Sequence, residues 1–102
     1  MTIEWTCIAT VADCPPGTSK EIVVGDRVVA LFNVQGEFHA LDGVCPHQGG
    51  PLGRGTLQGD TVTCPWHGWQ FDVRSGQCGL SRSVVQPNIP VRLDGDSILI
   101  RL

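Results

Sequence analysis

The chain has 102 residues, 41% of them hydrophobic and 17% charged, with a net charge of −3. At this length a second core would leave each half too little interior to offset its conformational entropy, so residues 1–102 are expected to form one domain. The low charged fraction beside an ordinary apolar one argues against disorder, and the acidic balance leaves no basic stripe for phosphates, so neither nucleic acid nor an anionic membrane surface is an expected partner.

Short β-branched stretches of alternating polarity predict strands at Ile3 to Ala9, Glu21 to Val24, Arg27 to Val34, Glu37 to Leu41, Thr61 to Cys64, Gln70 to Val73, Val91 to Leu93 and Ser97 to Leu102. Gly25-Asp26, Gln35-Gly36 and Asp94-Gly95-Asp96 separate neighbouring stretches by the two or three residues that hairpins use, which predicts antiparallel pairing. No window sustains a helical apolar period, and 7 prolines punctuate the places where helices would run. The expected architecture is all-β, an antiparallel sandwich or open barrel. The longest apolar run, Val28 to Phe32, is far below the roughly 18 residues of a spanning helix. No basic-then-apolar leader opens the chain, so a cytoplasmic protein without a membrane anchor is expected.

Between the predicted strands, Gly43, Pro46, Gly49, Gly50, Pro51, Gly53, Gly55 and Gly59 crowd one window that must be shaped loop. Cys45-Pro46-His47 forms C-x-H inside it. Cys64-Pro65-Trp66-His67 forms C-x-x-H after a spacer of 16 residues. The segments LDGVCPHQGG and TVTCPWHGW echo one another, each running from an apolar strand into Cys-Pro, His and Gly, so two similar loops are expected to face each other. Two sulfur and two nitrogen donors suit zinc or an iron–sulfur centre, and the Pro and Gly beside them hold the backbone. The 5 cysteines, an odd count, read in a reducing compartment as ligands or buried thiols.

C-x-H, the spacer and C-x-x-H, with Pro46, Pro65, Gly68 and Trp69 around them, resemble the Rieske 2Fe-2S proteins over nearly the whole chain. The resemblance implies a Rieske-like sandwich or open barrel with a loop-built cluster-binding subdomain at about residues 43–69. It implies a Rieske-type 2Fe-2S cluster with Cys45 and Cys64 on one iron and His47 and His67 on the other. Replacing two thiolates by neutral imidazoles makes the cluster less negative and easier to reduce, giving potentials of roughly −150 to +300 mV across the class. High-potential members carry a disulfide between the loops, where this chain has Gly50 and Trp66. They also carry Ser and Tyr hydroxyl donors, where it has Trp69 and Phe71. Without those donors the reduced state loses stabilisation, so a low-potential cluster is expected. Ligand imidazoles link electron to proton affinity, so the midpoint should fall with pH only at alkaline pH.

Oxygenase large subunits of this class need a second, catalytic domain with a mononuclear iron, for which the chain has no length. The resemblance therefore implies a soluble ferredoxin component of a dioxygenase system. Such a carrier is a monomer that turns over no substrate and passes single electrons from a flavin-dependent ferredoxin reductase to a terminal oxygenase. The alternatives are the small subunit of an assimilatory nitrite reductase, a redox-sensing iron–sulfur regulator and a structural Cys2His2 zinc module. The nitrite reductase subunits sometimes lack the ligands that are all present here.

Among the remaining residues, Cys7 reads as a buried small hydrophobe in the first strand, and Cys14 and Cys78 as exposed thiols in turns. His39 reads as a half-exposed strand residue, and Trp5 as packing near the N-terminal strand. Trp69 is expected to shield the cluster. Pro46, Gln48, Pro51, Leu52 and Trp66 are expected to form an apolar rim for brief docking, and Glu37, Asp42 and Asp60 to steer a basic partner.

Overall fold

The computed structural model describes residues 4–45, 49–66 and 68–102, and its strands pair antiparallel in three sheets. In chain order they are β1 (Thr6–Thr10), β2 (Ser19–Val24), β3 (Arg27–Val34), β4 (Glu37–Asp42), β5 (Thr56–Gln58), β6 (Thr61–Thr63), β7 (Gln70–Asp72), β8 (Asn88–Ile89), β9 (Val91–Asp94) and β10 (Ser97–Ile100). The sheets run β1-β10-β9, β2-β3-β4-β8 and β5-β6-β7, and none closes into a barrel. Two short 3-10 turns, Val11–Asp13 and Leu52–Arg54, are the helical elements among the described residues. No helix of those residues is long and apolar enough to cross a membrane.

The apolar run in β3 is continuous because both of its faces are covered. Ala30, Phe32 and Val34 join Leu41, Leu52, Val62, Phe71 and Val73 in one core, which includes Cys45, Cys64 and Cys78. Val29 and Leu31 point the other way, into a second core with Cys14, Ala40, Ile89, Ile98 and Ile100. A strand alternates sides with period two, so β3 is the wall between the cluster-loop core and the β1-β10-β9 sheet.

The hairpins fall where the sequence places them. Gln35 and Gly36 both have positive φ, 52° and 92°, as a two-residue turn matched to strand twist requires. Gln35 is the non-glycine there, and the buried Asn33 steadies the turn by accepting the Gly36 N–H at 2.7 Å while its Nδ2 donates to the Cys14 carbonyl at 2.8 Å. Two strands were not anticipated. β5 has three residues inside the glycine-rich window, and β8 has two residues between Pro87 and Pro90, lengths at which alternation carries no signal.

Candidate metal centre

Cys45 lies just beyond the end of β4 and Cys64 just beyond the end of β6. Both are buried, at 2% and 1% exposure. Their loops close identically: the Cys45 N–H donates to the Gly50 carbonyl at 2.9 Å and the Cys64 N–H donates to the Trp69 carbonyl at 2.7 Å, each five residues on. The first closure is extended by a Val44–Pro51 bridge and by the Leu52 N–H, which donates to the Gly43 carbonyl at 3.0 Å. The second is turned by Gly68 at a φ of 71°. The sequence echo is therefore a repeat of hydrogen-bonded loop geometry.

The two loops meet at Gly50. A Cβ built there would stand 2.7 Å from Cys64 Sγ and 3.0 Å from Trp66 Cβ, so only glycine leaves that sulfur its space. Positions 50 and 66, where the high-potential relatives have their disulfide, are thus neighbours in this chain also. The sulfur side of the site fits a soft, thiolate-bound group: two buried cysteines on apposed loops, backed by the apolar core. His47 and His67, the other two expected ligands, lie outside the described residues, as do Pro46 and Gln48 of the expected rim. Phe71 is fully packed at 1% exposure and Trp69 packs partly buried against the same core, so neither position places a hydroxyl near the sulfurs.

Several expectations change. Leu52 is not rim but core, at 0% exposure, because its 3-10 turn lies flat on β2; Gly53 there approaches Glu21 so closely that a Cβ would sit 2.7 Å from the Glu21 Cα. Trp66 remains at the surface at 49% exposure, with Val44 exposed beside Cys45. Cys7 is exposed, since β1 is covered on one face only, whereas Cys14 and Cys78 are buried in the two cores. Of the acidic residues, Glu37 and Asp60 both pair with Arg74, at 2.7 and 3.2 Å, which offsets half of their combined charge, and Asp42 accepts the Val44 N–H at 3.0 Å. The same two carboxylates hold the Arg74 pKa above its ordinary value. His39 is half-buried; its Nε2 lies 3.0 Å from Glu37 Oε1 without hydrogen-bond geometry. Trp5 stacks under the guanidinium groups of Arg92 and Arg101, 5.2 and 5.5 Å from its ring centre.

One buried polar residue escaped the sequence reading. Gln86, at 2% exposure, donates from Nε2 to the Asp42 carbonyl at 2.6 Å and the Val44 carbonyl at 2.7 Å, at the root of the Cys45 loop. Flanked by Val85 and Pro87 in an irregular segment, it carries no pattern that marks it.

Comparison with known proteins agrees with this geometry. The ferredoxin component of an alkene monooxygenase system from Xanthobacter autotrophicus is 37% identical over 96% of this chain and 81% of its own. The ferredoxin component of the naphthalene 1,2-dioxygenase system of Pseudomonas aeruginosa is 32% identical over 100% of this chain and 99% of its own. Among solved structures, a complex of reduced oxygenase and oxidized ferredoxin in carbazole 1,9a-dioxygenase contains a chain that superposes with a TM-score of 0.87 at 28% identity, covering 98% of this chain and 94% of that one. Residues 4–91 match the Rieske 2Fe-2S domain, so the chain belongs to the Rieske 2Fe-2S family and its cofactor is a Rieske-type 2Fe-2S cluster.

Proposed function

We propose that this protein is a one-electron carrier, the ferredoxin component of an oxygenase system, operating in the cytoplasm between a flavin-dependent ferredoxin reductase and a terminal oxygenase. The observation that carries the reading is its end-to-end correspondence with a ferredoxin component, at 100% of one chain and 99% of the other. Cys45 and Cys64 are the residues that would hold one iron, and His47 and His67 the other. Bound in this way, such a cluster takes up and releases one electron at a time.

The chain's own residues set the conditions for that exchange. Burial of both cysteines keeps water from the sulfurs, and Gly50 leaves Cys64 Sγ the space a ligand bond needs. Trp69 and Phe71 offer no hydroxyl to the sulfurs, which withholds stabilisation from the reduced state and supports a potential in the lower part of the class range. The exposed Trp66 and Val44 border the cysteine loops and supply apolar surface for a short-lived contact with each partner. The carrier itself turns over no substrate.

Anaerobically purified protein should contain iron and acid-labile sulfide in equal amounts and show a Rieske EPR signal on reduction. NAD(P)H and a flavin reductase should bleach it, and a terminal oxygenase should restore its colour. Absence of iron and labile sulfide would overturn the reading. A midpoint well above about +100 mV would overturn the low potential, on the range known for the class.

A further inference from the structure

We infer that Gln86 is a positioning residue for the cluster: its side-chain amide fixes the peptide that orients the Cys45 sulfur. This rests on the ligand reading above and goes beyond it. The peptide joining Val44 to Cys45 is held at both ends. Its carbonyl accepts from Gln86 Nε2 at 2.7 Å and its N–H donates to the Gly50 carbonyl at 2.9 Å. A peptide plane pinned at both poles cannot rock, so the direction in which Cys45 leaves the backbone is set before any ligand bond forms.

The need for a side chain here follows from the strand pairing. β8 runs beside β4 through Leu41 and Asn88, and the Pro87 carbonyl then accepts the Asp42 N–H at 2.9 Å. Further pairing fails because Pro87 has no N–H to return. The carbonyls of Asp42 and Val44, on either side of the bend at Gly43, are left without a strand partner on this edge, and the two hydrogens of one primary amide reach both. Gln86 is itself held from behind. Its N–H donates to the Gly76 carbonyl at 2.7 Å, and Gly76 lies so close to the Gln86 carbonyl that no side chain fits there. Gly76 follows β7 on the Cys64 side of the fold, so Gln86 ties the segment leaving one cysteine loop to the root of the other.

The test uses cluster-loaded protein carrying Gln86→Met, which keeps length and apolar stem but cannot donate, and Gln86→Asn, which keeps the amide one methylene short. Ile98→Val, in the other core, serves as a destabilised control without contact to the Cys45 loop. Both Gln86 variants should broaden and shift the EPR signal of the reduced cluster and lose iron to a chelator about ten-fold faster, the effect expected of unpaired buried carbonyls. Ile98→Val should leave the spectrum unchanged. Spectra of both Gln86 variants superimposable on the wild type, with chelation no faster than in Ile98→Val, would overturn the inference while leaving the carrier reading intact. A wild-type protein without a Rieske signal would overturn both. If Gln86→Met fails to fold, Gln86→Asn alone decides.

Discussion

Gly50 stands so close to Cys64 that a methyl group in place of its hydrogen would reach 2.7 Å from Sγ. The same glycine accepts the Cys45 N–H, so it touches both cysteine loops at once. Gly50→Ala should therefore lower iron content to less than about half of the wild-type value and destabilise the fold by about 1–3 kcal/mol, as overpacking does. Gly59→Ala is the control. Gly59 has a positive φ, 59°, a strain that Gly50 does not share, and open space around it, so the variant should retain full iron with only a backbone cost of about 1 kcal/mol. Iron analysis of the two purified variants separates steric exclusion at the sulfur from loop strain.

Leu52 and Trp66 should behave in opposite ways. Leu52→Ala empties a fully buried position beneath the first cysteine loop and should cost about 2–5 kcal/mol in denaturant unfolding. Trp66→Ala removes exposed surface, and stability should change by less than about 1 kcal/mol. Its effect should appear instead as slower electron transfer to the oxygenase in stopped-flow experiments.

Thiol accessibility divides the cysteines outside the site. In native cluster-loaded protein, a thiol reagent should modify Cys7 rapidly, and Cys14 and Cys78 only after unfolding, because they sit at 0% and 3% exposure. Cys7→Ser should remove the fast phase and leave the visible spectrum intact.

Arg74 sits between Glu37 and Asp60 and offsets half of their combined charge. Arg74→Ala should uncover two carboxylates and raise the rate of reduction by a basic reductase by about two-fold at low salt, a gain that disappears as ionic strength rises. A rate unaffected by the substitution at every salt concentration would remove electrostatic steering from this face.

The carboxylate of Asp13 accepts hydrogen bonds from the Thr10 N–H at 2.9 Å and the Thr10 hydroxyl at 3.1 Å, and these hold its pKa below the ordinary aspartate value. A pKa depressed in the folded state adds stability that is present above the unfolded value and is lost as pH falls through the folded one. Asp13→Asn should therefore lower the melting temperature slightly at neutral pH, and the difference should close in acid below the folded-state pKa. An NMR titration of the Asp13 carboxyl carbon checks the direction of the shift.

The strand pattern of β3 and β4, the tight hairpins and the two Cys-Pro-His loops are legible in the chain itself, because alternation, turn chemistry and ligand spacing are local properties of neighbouring residues. The echo between LDGVCPHQGG and TVTCPWHGW is local in the same sense, and it becomes a shared five-residue closure at Cys45 and Cys64. Which cysteines are buried was not legible: Cys7 faces out and Cys14 and Cys78 face in because the sheets they lie against are assembled from distant segments. Leu52 became core, Arg74 paired with two expected steering carboxylates and offset one of their two charges, and Gln86 reached the Cys45 loop from 42 and 44 residues away. Each of these depends on contacts across long sequence separations, which local composition cannot encode and which exist only once the two cores have formed around β3.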